Sequence, residues 1–187
     1  MATLRKTTMA NILLGVTGSA ACFKAAACAS QLTQLGHRVQ VVLTPAAGEF
    51  VTELQFSCLT GVTAITHDDS QLDPSGMEHI SVARQAELLI IMPATANTIG
   101  QLANGLAGNL LCTLALAISQ DIPRLIVPAM NPEMFAHPAV QRNLQQLQDD
   151  GWQQLGPVSG VTACQERGDG RMLETDEVLA VITGMLG

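Results

Sequence analysis

Four short polar clusters interrupt an otherwise apolar chain, and their residue types could do chemistry. The first is Gly15-Val16-Thr17-Gly18-Ser19, set between an apolar run and an Ala-rich stretch. Backbone N–H groups at a helix start attract anions, and glycine lets a phosphate come close. Thr17 and Ser19 add hydroxyl donors. The pattern is not GxGxxG and lacks the lysine of a P-loop, which disfavours an ATP-binding loop. Thr44 ends the next apolar run and would lie beside this turn in a parallel sheet. On these residues alone, a phosphate site and an ordinary strand-to-helix turn with Ser19 as N-cap are equally open.

The second cluster, Pro93-Ala94-Thr95-Ala96-Asn97-Thr98, follows a buried apolar run. Asparagine offers an acceptor and two donors, enough to read a planar heterocycle, whereas capping a helix needs one polar residue of the three. The third, Pro128 to Phe135, holds Asn131 and Met134 between prolines that stiffen it. A rigid Asn suits a carboxylate; the plainer alternative is a proline turn with Met in the core. The fourth places Cys164 ahead of Gly168-Asp169-Gly170-Arg171-Met172. Nearby guanidinium groups lower a thiol pKa, although Glu166 and Asp169 oppose that, and an idle exposed thiol is the competing reading. His79 opens a helical segment just before an apolar run, and imidazole moves protons near neutral pH. His37, His67 and His137 read as solvent-facing or capping.

Short apolar runs at Asn11–Val16, Val39–Thr44, Leu88–Met92 and Arg124–Pro128 predict buried strands, with a further short strand at Gln153–Leu155. Helical spacing predicts helices over Ala20–Leu35, part of Pro45–Gly61 with Val51–Leu59 as its core, His79–Glu87, Pro138–Gly151 and Thr175–Leu186. Gly36 suits a C′ position and Thr175 an N-cap. Thr98–Ile118 carries Gly100, Gly105 and Gly108, so it reads as one closely packed helix or as two with a turn near Gly105–Gly108. Thr66–Gly76 and Val161–Arg171 read as loops. Alternating strands and helices give an α/β, three-layer Rossmann-like (flavodoxin-like) fold with a largely parallel sheet. Residues 1–9 read as a flexible tail and 10–187 as one domain.

The chain has 187 residues, 48 % hydrophobic and 13 % charged, which excludes a disordered polymer. So little charge points to other copies covering part of the surface, the plainer alternative being a monomer rich in buried Ala, Leu and Val. A net charge of −7 and few aromatics argue against nucleic acid as partner. The five cysteines form no CxxC pair or zinc spacing; Cys22, Cys28 and Cys112 read as small buried hydrophobes. No convincing signal peptide or run of transmembrane length is present, so a reducing cytoplasmic setting and no membrane are expected.

Together the four clusters and His79 resemble the flavin-dependent cysteine decarboxylases, most closely the branch acting on phosphopantothenoylcysteine in coenzyme A biosynthesis. The match runs from Asn11 to Leu186. The resemblance implies an FMN-binding domain that assembles as a trimer, or as assemblies of trimers, with FMN at the subunit interface. It implies that Gly18, Ser19 and Thr44 hold the FMN phosphate and that Ala94, Thr95, Ala96 and Asn97 line the ring. His79 is then the active-site base. Asn131, Met134 and Arg171 bind a small cysteinyl substrate, with Asn131 on its carboxylate. The loop around Cys164 folds over as a clamp, with Cys164 as proton donor. The implied reaction is FMN-dependent decarboxylation of 4′-phosphopantothenoylcysteine to 4′-phosphopantetheine. Phe135 stands where the family often has Trp, and Gly108-Asn109 replaces a common acidic pair.

Two rivals stand beside it. One is a peptidyl-cysteine decarboxylase that leaves a C-terminal aminoenethiol on a ribosomal peptide; those relatives generally lack the clamp cysteine. The other is a non-enzymatic binding protein like the phosphatase-inhibiting relatives, which carry acidic extensions.

Overall fold

The computed structural model describes residues 9–66 and 78–186, with the side chains of 78–80 outside that description. The chain opens with strand β1 (Asn11–Val16), helix α1 (Cys22–Gln34) and strand β2 (Arg38–Leu43). Gly36, at φ 91°, takes the left-handed turn between helix and strand that its lack of a Cβ allows. A 3₁₀ turn (Pro45–Glu49) and α2 (Glu53–Thr60) follow, so the helical stretch expected from Pro45 is split in two. Then come α3 (Glu78–Gln85), β3 (Leu88–Ala94), α4 (Ala96–Ala103), α5 (Leu110–Ala117) and β4 (Arg124–Pro128). The glycine-broken segment is therefore two helices. Asn109 caps the second by accepting from the Cys112 N–H at 3.0 Å, and donates to Gln101 at 2.9 Å.

The chain closes with α6 (Pro132–Ala136), α7 (Pro138–Asp149), β5 (Trp152–Gln154), β6 (Val158–Val161), β7 (Arg167–Arg171) and α8 (Thr175–Leu186). Two expectations need correction here. Val161–Arg171 is mostly not loop: β6 and β7 pair antiparallel as a hairpin. Its sequence hid this because glycines fill positions where a strand usually shows β-branched residues. Thr175 is the first residue of α8 rather than its cap; the Glu174 N–H reaches Glu177 at 3.2 Å, half of a capping box.

Five strands form one parallel sheet in the order β2-β1-β3-β4-β5. Every residue of β3 is buried, as both faces of the sheet are covered. Alternate side chains feed two cores. Ile12, Leu14, Val41, Ile90 and Val127 pack under α1, α2 and α8; Leu13, Val42, Leu89, Ile91 and Ile126 pack under α3, α4, α5 and α7. The three layers match the α/β expectation. Sequence order reverses between β1 and β3, which puts a crevice at the carboxyl ends of those two strands.

His37 departs from its expected solvent-facing place. It is 4 % exposed, and its Nδ1 accepts from the Ala10 N–H at 3.3 Å. Burial pushes its pKa down. Its partner, the Ala10 backbone, lies 27 residues away in sequence, which a one-residue view of a turn could not show.

Candidate active site

The β1–α1 turn is built around one hydroxyl. Thr17, fully buried, donates to the Pro93 carbonyl at 2.7 Å and accepts from the Thr95 N–H at 3.0 Å. It thus ties the first polar cluster to the second across the crevice. Its hydroxyl is spent inside the protein, contrary to the expectation that it adds a donor for a ligand. Ser19 is not the N-cap either: α1 begins at Cys22 behind Ala21, and Ser19 Oγ accepts from the Ala21 N–H at 3.2 Å. The N–H groups of Gly18, Ser19 and Ala20 meet no acceptor among the described residues. Three unpaired donors on a turn beside a helix start are the kind of backbone that can hold an anion.

Glycine at 18 is demanded by the chain itself. A Cβ there would come within 2.7 Å of the Ala46 carbonyl oxygen and of Ala46 Cβ. Thr44, buried beside the turn, donates its hydroxyl to the Val16 carbonyl at 3.4 Å.

Across the crevice, Thr95 caps α4 by accepting from the Thr98 N–H at 3.4 Å, and its hydroxyl also meets Thr98 Oγ1 at 3.2 Å. Two of the three polar residues of this cluster therefore do local work. Asn97 is exposed, and its amide has no partner among the described residues. Ala94 is buried and Ala96 half-buried beside it.

At the end of β4, Asn131 caps α6. Its Oδ1 accepts from the Glu133 N–H at 2.8 Å and the Met134 N–H at 3.2 Å. That fixes the amide orientation and turns its NH₂ outward, where it donates to a Glu166 carboxylate oxygen. Met134 is 48 % exposed, so it is not the core residue that one reading allowed.

The β6–β7 hairpin lies over this end of the sheet. The Met130 N–H donates to the Gly170 carbonyl at 3.0 Å. A Cβ on Gly168 would press to 2.7 Å from Pro132, and one on Gly170 would strike the Met130 carbonyl. Glycines therefore let β7 lie flat on the Met130–Pro132 segment. At the tip, the Gln165 N–H donates to the Thr162 carbonyl at 2.9 Å, and the Thr162 N–H returns to the Glu166 carbonyl at 2.9 Å. This is a tight turn followed by a left-handed residue, Gln165 at φ 63°, a place that favours glycine. Cys164 sits in that turn and is exposed. Burial pushes the thiols of Cys22 and Cys112 up, and that of Cys28 up to about 12.

Between the hairpin and the start of α1 lies a cleft of about 560 Å³, lined among others by Ser19, Phe23, Asn131, Cys164 and Arg171. Lys24 closes one side. It donates to the Met172 carbonyl at 3.1 Å and pairs with Glu174 at 3.0 Å, while Arg171 reaches the same Glu174 oxygen at 3.0 Å. The Lys24 ammonium holds the Glu174 carboxyl below the usual carboxylate range. Sequence reasoning overlooked Lys24, Glu174 and the contact role of Glu166. Lys24 had a signal: it is the one charge within α1, near the helix end that disfavours cations. His79 falls in α3, and its side chain lies outside the described residues.

The β1–α1 turn with its unpaired N–H groups and the start of α4 with Asn97 follow the neighbouring strands β1 and β3, and Asn131 and Cys164 line one cleft. That arrangement can hold a phosphate-bearing planar group and a small carboxylic acid close to a proton source.

Comparison with known proteins shows the family. A family model described as "Flavoprotein" matches residues 1–187. The chain is 37 % identical over 175 residues to a probable phosphopantothenoylcysteine decarboxylase of Streptococcus mutans, covering 94 % of this chain and 98 % of that one. It is 42 % identical over 169 residues to the coenzyme A biosynthesis bifunctional protein CoaBC of Bacillus subtilis, covering 90 % of this chain but 41 % of that longer protein. Among solved structures, a cysteine-to-serine mutant of PPC decarboxylase complexed with pantothenoylaminoethenethiol superposes with a TM-score of 0.87 at 29 % identity, covering 95 % of this chain and 98 % of that one. The chain belongs to the flavoprotein family, as a homologue of its phosphopantothenoylcysteine decarboxylases.

Proposed function

We propose that this chain is an FMN-dependent phosphopantothenoylcysteine decarboxylase that converts 4′-phosphopantothenoylcysteine to 4′-phosphopantetheine. The observation that carries this reading is the lining of one cleft by both Asn131, whose cap geometry turns its NH₂ outward, and Cys164. The residues present fit FMN. The unpaired N–H groups of Gly18, Ser19 and Ala20, with the hydroxyl of Ser19, suit its phosphate; Thr44 joins them by turning its hydroxyl away from the Val16 carbonyl. Ala94, Thr95, Ala96 and the free amide of Asn97 suit its ring. When bound, FMN supplies the reversible two-electron exchange at the thiol-bearing carbon that lets the neighbouring carboxylate leave as CO₂.

The chain's own groups do the rest. Asn131 donates to the substrate carboxylate and holds it beside the crevice. Met134 gives that acid an apolar wall, and Arg171 adds a cation to the cleft. His79 serves as base. Cys164 supplies the proton that accompanies the two electrons FMN would give back, so that the product is the saturated thiol.

Exposed apolar side chains at Phe23, Leu54, Leu106 and Leu116 support association with other copies; the trimer, or assembly of trimers, with FMN at the subunit interface follows from the family resemblance. Five free cysteines fit the reducing cytoplasm. Among the described residues no helix is long and apolar enough to cross a membrane. Residues 10–187 act as one flavoprotein domain in this reading.

The test is direct. The purified protein is expected to be yellow and to release CO₂ and 4′-phosphopantetheine. Cys164→Ser is expected to decarboxylate and accumulate the enethiol. A wild type that itself stops at the enethiol, or that acts on a cysteine-terminated peptide and not on the pantothenoyl compound, overturns the assignment in favour of peptide tailoring.

A further inference from the structure

The hydrogen-bond donor that this reading assigns to the substrate's carboxylate already holds a carboxylate from the protein. The cap geometry leaves no doubt about which end of Asn131 faces out, since Oδ1 serves two backbone N–H groups of α6. The NH₂ that remains meets Glu166. Glu166 is exposed, so burial does not force it there. Its backbone closes the hairpin tip: its carbonyl accepts from the Thr162 N–H at 2.9 Å and the Thr162 hydroxyl at 3.2 Å. Cys164 sits two residues earlier in that same turn.

We propose that Glu166 is a built-in placeholder for the substrate's carboxylate, so that a ligand frees the hairpin tip carrying Cys164 by bringing its own carboxylate to Asn131. The proposal rests on the functional reading above. Two carboxylates crowded on one amide repel each other, so arrival of the substrate's acid ejects Glu166. The tip is tightly turned, so Glu166 and Cys164 move together. Once CO₂ has left, the product has no acid to hold Asn131, and Glu166 takes the amide back. The site then discriminates substrate from product by the one group the reaction removes.

The experiment uses the full chain loaded with FMN, with Glu166→Ala and Glu166→Asp compared to wild type. One arm measures KM and kcat for 4′-phosphopantothenoylcysteine. The other measures the alkylation rate of Cys164 by iodoacetamide, mapped by peptide mass to separate it from Cys58, which is also exposed. Both variants are expected to lower KM about three- to tenfold, with a smaller change in kcat, because each removes a charged competitor from the amide or shortens its reach. Cys164 is expected to alkylate faster in Glu166→Ala, and Asn131→Ala is expected to add nothing further in the double variant. A Glu166→Asp enzyme that behaves as wild type while Glu166→Ala does not would reduce the effect to charge repulsion and overturn the placeholder. So would a raised KM, or additive effects of the two substitutions on alkylation. The alkylation arm needs no turnover, so it judges the Glu166–Asn131 contact by itself; a wild type that fails to decarboxylate this substrate sinks the functional reading and leaves that contact standing.

Discussion

Thr17→Val tests whether one buried hydroxyl holds the two halves of the crevice together. Valine keeps the shape and removes the bonds to the Pro93 carbonyl (2.7 Å) and from the Thr95 N–H (3.0 Å). Pro93 is buried and Thr95 half-buried, so both groups lose a partner that water replaces poorly. A buried polar group left unsatisfied costs about 1–3 kcal/mol, and the half-buried N–H sits at the low end, which gives a total of about 2–4 kcal/mol. For a chain of this size that corresponds to a fall in Tm of about 5–12 °C. Thermal and urea unfolding followed by circular dichroism measure the loss, and quenching of flavin fluorescence measures FMN affinity. Affinity is expected to fall as well, because the two turns proposed to hold the phosphate and the ring are no longer joined. Thr17→Ser keeps the hydroxyl and loses about one methyl, so it is expected to cost about 1 kcal/mol. If Thr17→Val melts with the wild type while Thr17→Ser drops, the methyl and not the hydroxyl bridge holds these loops, and the reasoning is refuted.

Other consequences are equally concrete. Gly18→Ala is expected to weaken FMN binding and cost about 1–3 kcal/mol of stability, since its Cβ meets the Ala46 backbone at 2.7 Å; retention of full flavin occupancy on purification would contradict this. His37 has its pKa lowered by burial, so the folded state binds fewer protons than the unfolded one. Its contribution is intact above the unfolded value near 6.5 and is lost as pH falls below it, by at most about 1.4 kcal/mol per pH unit. Melts between pH 7.5 and 5 should show this slope, and His37→Gln should flatten it. Gln165→Gly is expected to stiffen the hairpin tip by about 1 kcal/mol by relieving the left-handed backbone, read as slower proteolysis there.

The layered α/β plan was legible because burial on both sides of a sheet writes itself as short apolar runs such as Leu88–Met92, and covered helix faces write themselves as spacing. The polar clusters were legible because Asn131, Thr95 and Cys164 stand out against Ala and Leu. The chemistry expected of each was harder to read, since a polar side chain serves whatever lies nearest in space. Thr17 looked like a ligand donor and is a strut between loops 76 residues apart in sequence. Val161–Arg171 looked like a loop and is largely a hairpin, whose glycines mark where its backbone lies against Met130–Pro132.

What the sequence determined by itself, then, is local: periodicity, turn residues and which side chains have functional chemistry. Only the tertiary structure decided which of those groups remain free. It spent Thr17, Thr95 and Thr98 on internal bonds. It buried His37 and left Asn97 exposed, without a partner for its amide among the described residues. It also turned Asn131 so that its donors face the cleft. The reason is that hydrogen-bond capacity is fixed by residue type, while its use is fixed by neighbours brought from distant parts of the chain.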